Sequence, residues 1–180
     1  MKSLTERAKD TEFSRLVNGD LSAENAVICW TNFSGGPTKY NPAGGKRTFN
    51  LVLTEEIAEE LRMEGWNIRY IEPREEGDDP LIITEIVVNM NSEYPPRIRL
   101  FSQFGGKKSA NYLDADGVGE LDKIKYDNVS LIIHPYEHNR SAEHRVKGYL
   151  KTMFAVKTPD DDFGGRYAEY ESDDSDVPFN

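Results

Sequence analysis

The chain has 180 residues, enough for one domain of ordinary size with short extensions. Its formal net charge of −10 argues against a binder of nucleic acid over its whole surface, for which a basic domain is the usual footprint. A single cysteine, Cys29, excludes an intrachain disulfide. The absence of any long apolar run argues against a membrane span, so a soluble intracellular protein is expected.

Residues 1–20 are polar and of mixed charge. Phe13, Leu16 and Val17 suggest one short amphipathic turn in a partly ordered arm. Ala26 to Phe33 reads as a first strand, and Cys29 within it reads as a small buried hydrophobe. Pro37, Pro42 and the pairs Gly35-Gly36 and Gly44-Gly45 then mark turns. Arg47 to Leu53 alternates as a second strand, with Phe49, Leu51 and Leu53 on one face. Thr54 is placed to cap a helix opened by Glu55 and Glu56 and stopped by Gly65. Trp66 to Ile71 alternates as a third strand, Leu81 to Met90 is a fourth, and Arg97 to Phe101 a fifth. Gly105 to Lys108 forms a basic turn, and Leu113 to Ile124 a short helix or helical loop. Val129 to Ile133 and Val146 to Val156 are the sixth and seventh strands. Many short strands with one or two short helices predict a mainly β chain, a small antiparallel barrel or sandwich. The domain spans 21–158, flanked by the arm at 1–20 and a tail at 159–180.

The charge is unevenly spread. Residues 160–180 hold eight acids and one base, a net −7, which leaves only −3 for the rest. Residues 30–50, by contrast, hold four aromatics and three bases with no acid. Residues 97–113 hold four bases and no acid, and Arg140, Arg145, Lys147 and Lys151 form a further basic group. Aromatics interleaved with cations suit a single-stranded nucleic-acid groove, where bases stack on rings and cations follow phosphates. The candidate stackers are Trp30, Phe33, Tyr40, Phe49, Trp66, Phe104 and Tyr112, with Tyr70 and Phe101 also in reach. For Trp30, Phe49, Trp66 and Phe101 a place in the core competes with stacking, because strand aromatics usually fill cores. Phe33, Tyr40, Phe104 and Tyr112 lie beside turns and read as exposed. The candidate phosphate contacts are Lys39, Lys46, Arg47, Arg69, Arg97, Arg99, Lys107 and Lys108.

Enzyme signatures fail. Asp114 to Gly119 imitates a calcium loop, but Val118 and Lys125 stand where it needs acidic or amide ligands. His134, His138 and His144 are spaced x3 and x5, but His134 and His138 fall at helical spacing in what reads as a strand followed by a loop and Cys29 is distant, which argues against a zinc site; the chain has no phosphate-binding glycine loop and no nucleophile elbow. No metal, cofactor or catalytic residue is expected. An acidic DNA mimic that inhibits a host enzyme is the main alternative, favoured by net charge and opposed by the basic aromatic clusters. A nuclease is a second, and it would need clustered acidic ligands that the strands lack.

Four blocks taken in order resemble the single-stranded DNA-binding proteins of tailed bacteriophages. They are Asn32-Phe33 with Lys39-Tyr40-Asn41 and Gly45 to Phe49; Gly65 to Ile68 leading to Glu72 through Gly77; Val129 to Ile133 with Pro135-Tyr136-Glu137; and Val146 to Lys151. The resemblance implies an oligonucleotide-binding (OB) fold that coats single-stranded DNA in phage replication or recombination, in the cytoplasm of an infected bacterium. The tail end Asp173, Asp174, Asp176, Val177, Pro178, Phe179 is similar to the acidic Ile-Pro-Phe tips of bacterial single-stranded DNA-binding proteins, although here Asn180 follows. That similarity implies a disordered acidic tail which recruits replication proteins, such as a polymerase, helicase or primase. A homo-oligomer is compatible with the resemblance.

Overall fold

In the computed structural model, residues 3–104, 106–138 and 143–159 are described, Phe104 by its backbone alone. A strand with one face inward alternates apolar and polar residues, and the barrel is built from five such runs. The first is bent: β2 (Leu21–Glu24) and β3 (Ile28–Asn32) follow one another around Asn25, which takes a left-handed φ of 56°. The bend lets one run serve two neighbours. β2 pairs with β9 (Tyr126–Glu137), while β3 pairs with β4 (Thr48–Val52). At the corner the Ala26 amide donates to the Val129 carbonyl at 2.7 Å, and the Val52 amide to the Val27 carbonyl at 2.9 Å.

From β4 the sheet continues antiparallel to β6 (Leu81–Val87). β6 then pairs in parallel with β10 (Val146–Lys157), where Ile86 faces Gly148 and Val87 faces Tyr149. β10 runs antiparallel to β9 along its length, which returns the ring to β2. The five runs thus close in the order first, second, third, fifth, fourth and back to the first, an OB-type barrel. The mainly β expectation holds, and the sheet is mixed rather than wholly antiparallel. Parallel pairing needs a long crossover, and residues 88–145 supply it.

Three further elements were not foreseen. Ser3 caps the short α1 (Leu4–Ala8) by accepting from the Glu6 amide at 3.2 Å. β1 (Glu12–Arg15) makes a hairpin with β2 where a helical turn was expected. β8 (Lys107–Tyr112) pairs with β7 (Arg97–Phe104), and β7 runs parallel to Thr152–Val156 of β10, taking over the edge that β6 leaves. β5 (Ile68–Ile71) widens the sheet beside the first half of β6.

The barrel interior is filled by Leu21, Phe33, Phe49, Leu51, Ile86, Ile98, Leu131, Ile133 and Met153, all essentially inaccessible. α2 (Glu55–Glu64) adds Ile57, Ala58 and Leu61 to this cluster, and a short 3-10 helix (Val118–Asp122) adds Val118 and Leu121. Thr54 stands at the N-cap of α2 without a capping side-chain bond, and Gly65 ends the helix at φ 102°. α1 lies outside the barrel, where Ala8 joins Val27, Val52 and Ile83 in a small second cluster.

Candidate nucleic-acid interface

The connection from β3 to β4, residues 33–47, is the Gly/Pro-rich stretch that stood out in the sequence. Its roots are tied down. The Asp122 carboxylate accepts from the Thr31 hydroxyl at 2.8 Å and from the Phe33 and Ser34 amides at 2.9 Å. The Arg47 guanidinium donates to the Phe33 carbonyl at 2.9 Å across the loop base, and the Gly45 amide donates to the Gly35 carbonyl at 2.6 Å. Gly44, at φ 73°, sits where a Cβ would come within 3.1 Å of the Gly35 oxygen and the Pro37 nitrogen. From this fixed base the loop carries Tyr40, 91% exposed, with the Lys39 ammonium 5.9 Å from its ring centre. Lys46 pairs with Glu85 on β6 at 3.2 Å, so its charge is partly neutralised.

A second basic surface stands on the β7–β8 hairpin. Ile98 and Leu100 turn inward to the core, which places Arg97, Arg99 and Phe101 on the exterior. Tyr112 lies opposite Arg99 across the hairpin. Its ring is 58% exposed, with the Arg97 guanidinium at 5.8 Å and that of Arg99 at 5.2 Å. Arg97 also donates to the Tyr112 hydroxyl at 3.3 Å. Arg99 lies 5.1 Å from the ring of Phe101, which in turn meets Phe154 of β10 edge-on at 5.9 Å. The result is a ladder of cations and rings across three strands, each side chain held by its neighbour. Toward the hairpin turn Lys107 and Lys108 are both exposed.

The exterior of β10 extends this surface. Phe154 is flanked by Arg99, and further back Tyr149 lies opposite Val87 of β6 and His134 of β9. Tyr149 meets Tyr136 of β9 edge-on at 5.8 Å, beside exposed Lys147. Between the two aromatic groups Lys151 is the extra residue of a β-bulge. Its ammonium reaches the fully buried Asp20 carboxylate at 2.9 Å, and His134 Nδ1 is 2.7 Å from the other oxygen. Burial raises the Asp20 pKa. The hydrogen bonds from Lys151, His134 and Asn18, with the Lys151 charge, outweigh that and hold it below the ordinary aspartate value.

The family model of the phage ssDNA-binding domain matches residues 11–178. The chain belongs to that family. No curated protein matches this phage ssDNA-binding domain in sequence. Among solved structures it is similar to the single-stranded DNA-binding protein of bacteriophage Enc34 in complex with ssDNA, at 11% identity and a TM-score of 0.48, over 85% of this chain and 98% of that one. A C-terminally truncated form of the same phage protein gives 12% identity, a TM-score of 0.46, and 80% and 88% coverage.

Of the aromatics singled out in this phage ssDNA-binding domain, three are core residues. Phe33, read as exposed beside a turn, is wholly buried and stacks on Phe49 with ring centres 5.4 Å apart. Phe49 is equally buried, and Trp66 is 1% exposed with its ring against Gly148. None of the three has a ring face open to a base. Phe33 misled because it is the last inward residue before the loop, and the 3-10 helix that covers it comes from a distant part of the chain. Trp30, Tyr40 and Tyr112 are open to solvent, as are Lys39, Lys46, Lys107, Lys108 and Arg69, the last on the outer face of β5. The side chain of Phe104 and the tail residues Asp173, Asp174, Asp176, Val177, Pro178 and Phe179 lie outside the described residues. Sequence reasoning missed Tyr136, Tyr149 and Phe154 as exterior aromatics. Their signal was present, since Lys147 and Tyr149 alternate with the inward Val146, Gly148 and Leu150.

Proposed function

We propose that this protein binds single-stranded DNA with little sequence preference, coating and protecting exposed strands during phage DNA replication or recombination in the host cytoplasm. The observation that carries the reading is the exterior ladder Arg97, Tyr112, Arg99, Phe101 and Phe154, with Lys107 and Lys108 beyond it. Rings supply faces that any base can stack on, and the guanidinium and ammonium groups neutralise phosphates whatever the sequence. Tyr40, Lys39 and Lys46 of the β3–β4 loop and Trp30 beside it extend the surface, with Arg47 shaping the loop base and Arg69 adding charge on β5. OB barrels use their second and third strands and the loop between the first two for oligonucleotides, and residues 33–47 are that loop here. The acidic tail, net −7 over residues 160–180, competes for the cationic surface and presents its Asp-rich, Phe179-bearing end to replication proteins when DNA displaces it.

The test is a titration of labelled oligo(dT) with the intact protein and with a form ending at Thr158, at two salt concentrations. Binding that weakens with salt and tightens on truncation is the expected result. Equal affinity of the two forms removes tail competition and keeps DNA binding. No binding by either form overturns the function.

A further inference from the structure

Trp30 has a backbone that a bulky residue rarely adopts. Its φ is 45°, in the left-handed region, at a bulge of β3 where the pairing with β4 is interrupted between Cys29 and Asn32. The ring is nevertheless 55% exposed, so no gain in core packing offsets the strain. Asn50 of β4, almost fully buried on the barrel exterior, holds the conformation by donating from its amide to the Trp30 carbonyl at 3.4 Å.

Trp30 borders a cleft of about 600 Å³ between β3 and the start of β9, within the size range of small-ligand sites. The cleft exists because the two strands splay. Their last link is the bond from the Ala26 amide to the Val129 carbonyl. Beyond it, among the described residues, β3 pairs only with β4, and Tyr126–Asn128 pair only with β10. The facing edges therefore present main-chain donors and acceptors that need partners. Arg7 of α1 and Lys125 line the same cleft, and both are exposed. Its carboxylates are engaged: Asp122 by Thr31, Phe33 and Ser34, Asp127 by the Thr158 hydroxyl at 2.8 Å, and Asp10 likewise has a partner.

We infer that this cleft is a separate nucleotide subsite, taking one unstacked base of single-stranded DNA. Resting on the DNA-binding reading above, the assignment adds a defined pocket. The base stacks on the indole of Trp30, its polar edge meets the open main-chain edge of β3, and Arg7 and Lys125 receive the flanking phosphates. An exposed ring, two cations and unpaired strand edges are the three kinds of contact a splayed-out nucleotide requires.

The chain has two tryptophans, and the second, Trp66, is 1% exposed, so acrylamide quenching of intrinsic fluorescence reports Trp30. Saturation with oligo(dT) is expected to shield this exposed component. Trp30→Gly removes the ring while accepting the positive φ, and is expected to lower oligo(dT) affinity roughly 5- to 150-fold by anisotropy. The double variant Arg7→Gln/Lys125→Gln, which leaves Trp30 in place, is expected to make the slope of log affinity against log salt shallower by about 1.4. If oligo(dT) binds the intact protein while Trp30 stays open to acrylamide and both variants bind as tightly, the subsite is overturned and DNA binding stands. If the intact protein binds no oligo(dT), both readings fall.

Discussion

Replacing Tyr112 and Phe33 separately by alanine distinguishes a stacking ring from a core ring. Both were read from sequence as exposed, and only Tyr112 is. Phe33→Ala empties a fully buried site against Phe49, and the loss of transfer energy plus the cavity amounts to ~3–5 kcal/mol of stability. Against a domain stability of ~5–15 kcal/mol this still leaves a folded majority in most of that range. Tyr112→Ala removes two exposed cation–π contacts, at ~0.5–1 kcal/mol each, and an exposed hydrogen bond from Arg97 at the low end of ~0.5–1.5 kcal/mol, so its stability cost is about 1.5–2.5 kcal/mol. It also lowers DNA affinity in the folded protein, because one stacked base contributes ~1–3 kcal/mol, roughly 5- to 150-fold. Urea denaturation gives the first quantity, and anisotropy of labelled oligo(dT), corrected for the folded fraction, the second. The expected pattern is a crossed one, with Phe33→Ala unstable but binding and Tyr112→Ala stable but weak. Unchanged affinity in Tyr112→Ala, or an equal loss in folded Phe33→Ala, refutes the assignment of the ladder as the stacking surface.

Gly148→Ala places a Cβ 2.6 Å from the Trp66 ring and 2.9 Å from Ile133 and Ile86, and a thermal melt should show a loss of ~1–3 kcal/mol from overpacking; an unchanged melting temperature counts against this tight seam. Asp20 has a lowered pKa when folded, so its contribution to stability is present above the unfolded value, about 3.9, and fades as pH falls through the folded one. Asp20→Asn should therefore flatten the stability–pH profile below about pH 4, and an acid limb identical to that of the parent contradicts the network. Burial pushes the Cys29 thiol up to about 11 from 9.0, so at pH 8 iodoacetamide should label the native protein about 100-fold more slowly than the denatured chain; equal rates would show that Cys29 is open.

Local patterns carried the reading of the sequence as far as they reach. Glu55 to Gly65 declared a helix through its acidic first turn and its terminal glycine, and both ends lie where expected. Arg47 to Leu53 and Val146 to Val156 were read as strands and are strands in nearly those bounds, although a bulge at Lys151 shifts the phase of the second. β8 was missed because Lys107-Lys108-Ser109-Ala110-Asn111 has no apolar face; it is a strand only because β7 offers an edge. α1 was missed because a five-residue helix has no period to read, and it is held by the outer faces of Val52 and Ile83. In the candidate site, composition found Arg97, Arg99 and Tyr112 as neighbours, since the two runs form one hairpin. It could not tell Phe33 from Tyr40. Both are aromatics near glycines, and what separates them is Val118 and Leu121, more than eighty residues away, which join Phe33 in the core.

The place of β10 has a consequence for how the chain is made. Among the described residues it is the last strand in sequence, yet it lies between β9 and β6 and also carries β7. Until residue 157 has been synthesised, β1, β2 and β9 meet β3, β4, β5 and β6 only at the corner at Asn25, and the β7–β8 hairpin is paired with neither group. Three strand edges, those of β6, β7 and β9, then lack their partner. Such edges invite pairing with another nascent chain, and the contacts that close the ring are all of long sequence separation. Folding should therefore proceed as one late, slow cooperative step, and chains shortened within β10 should aggregate rather than accumulate as partly folded domains.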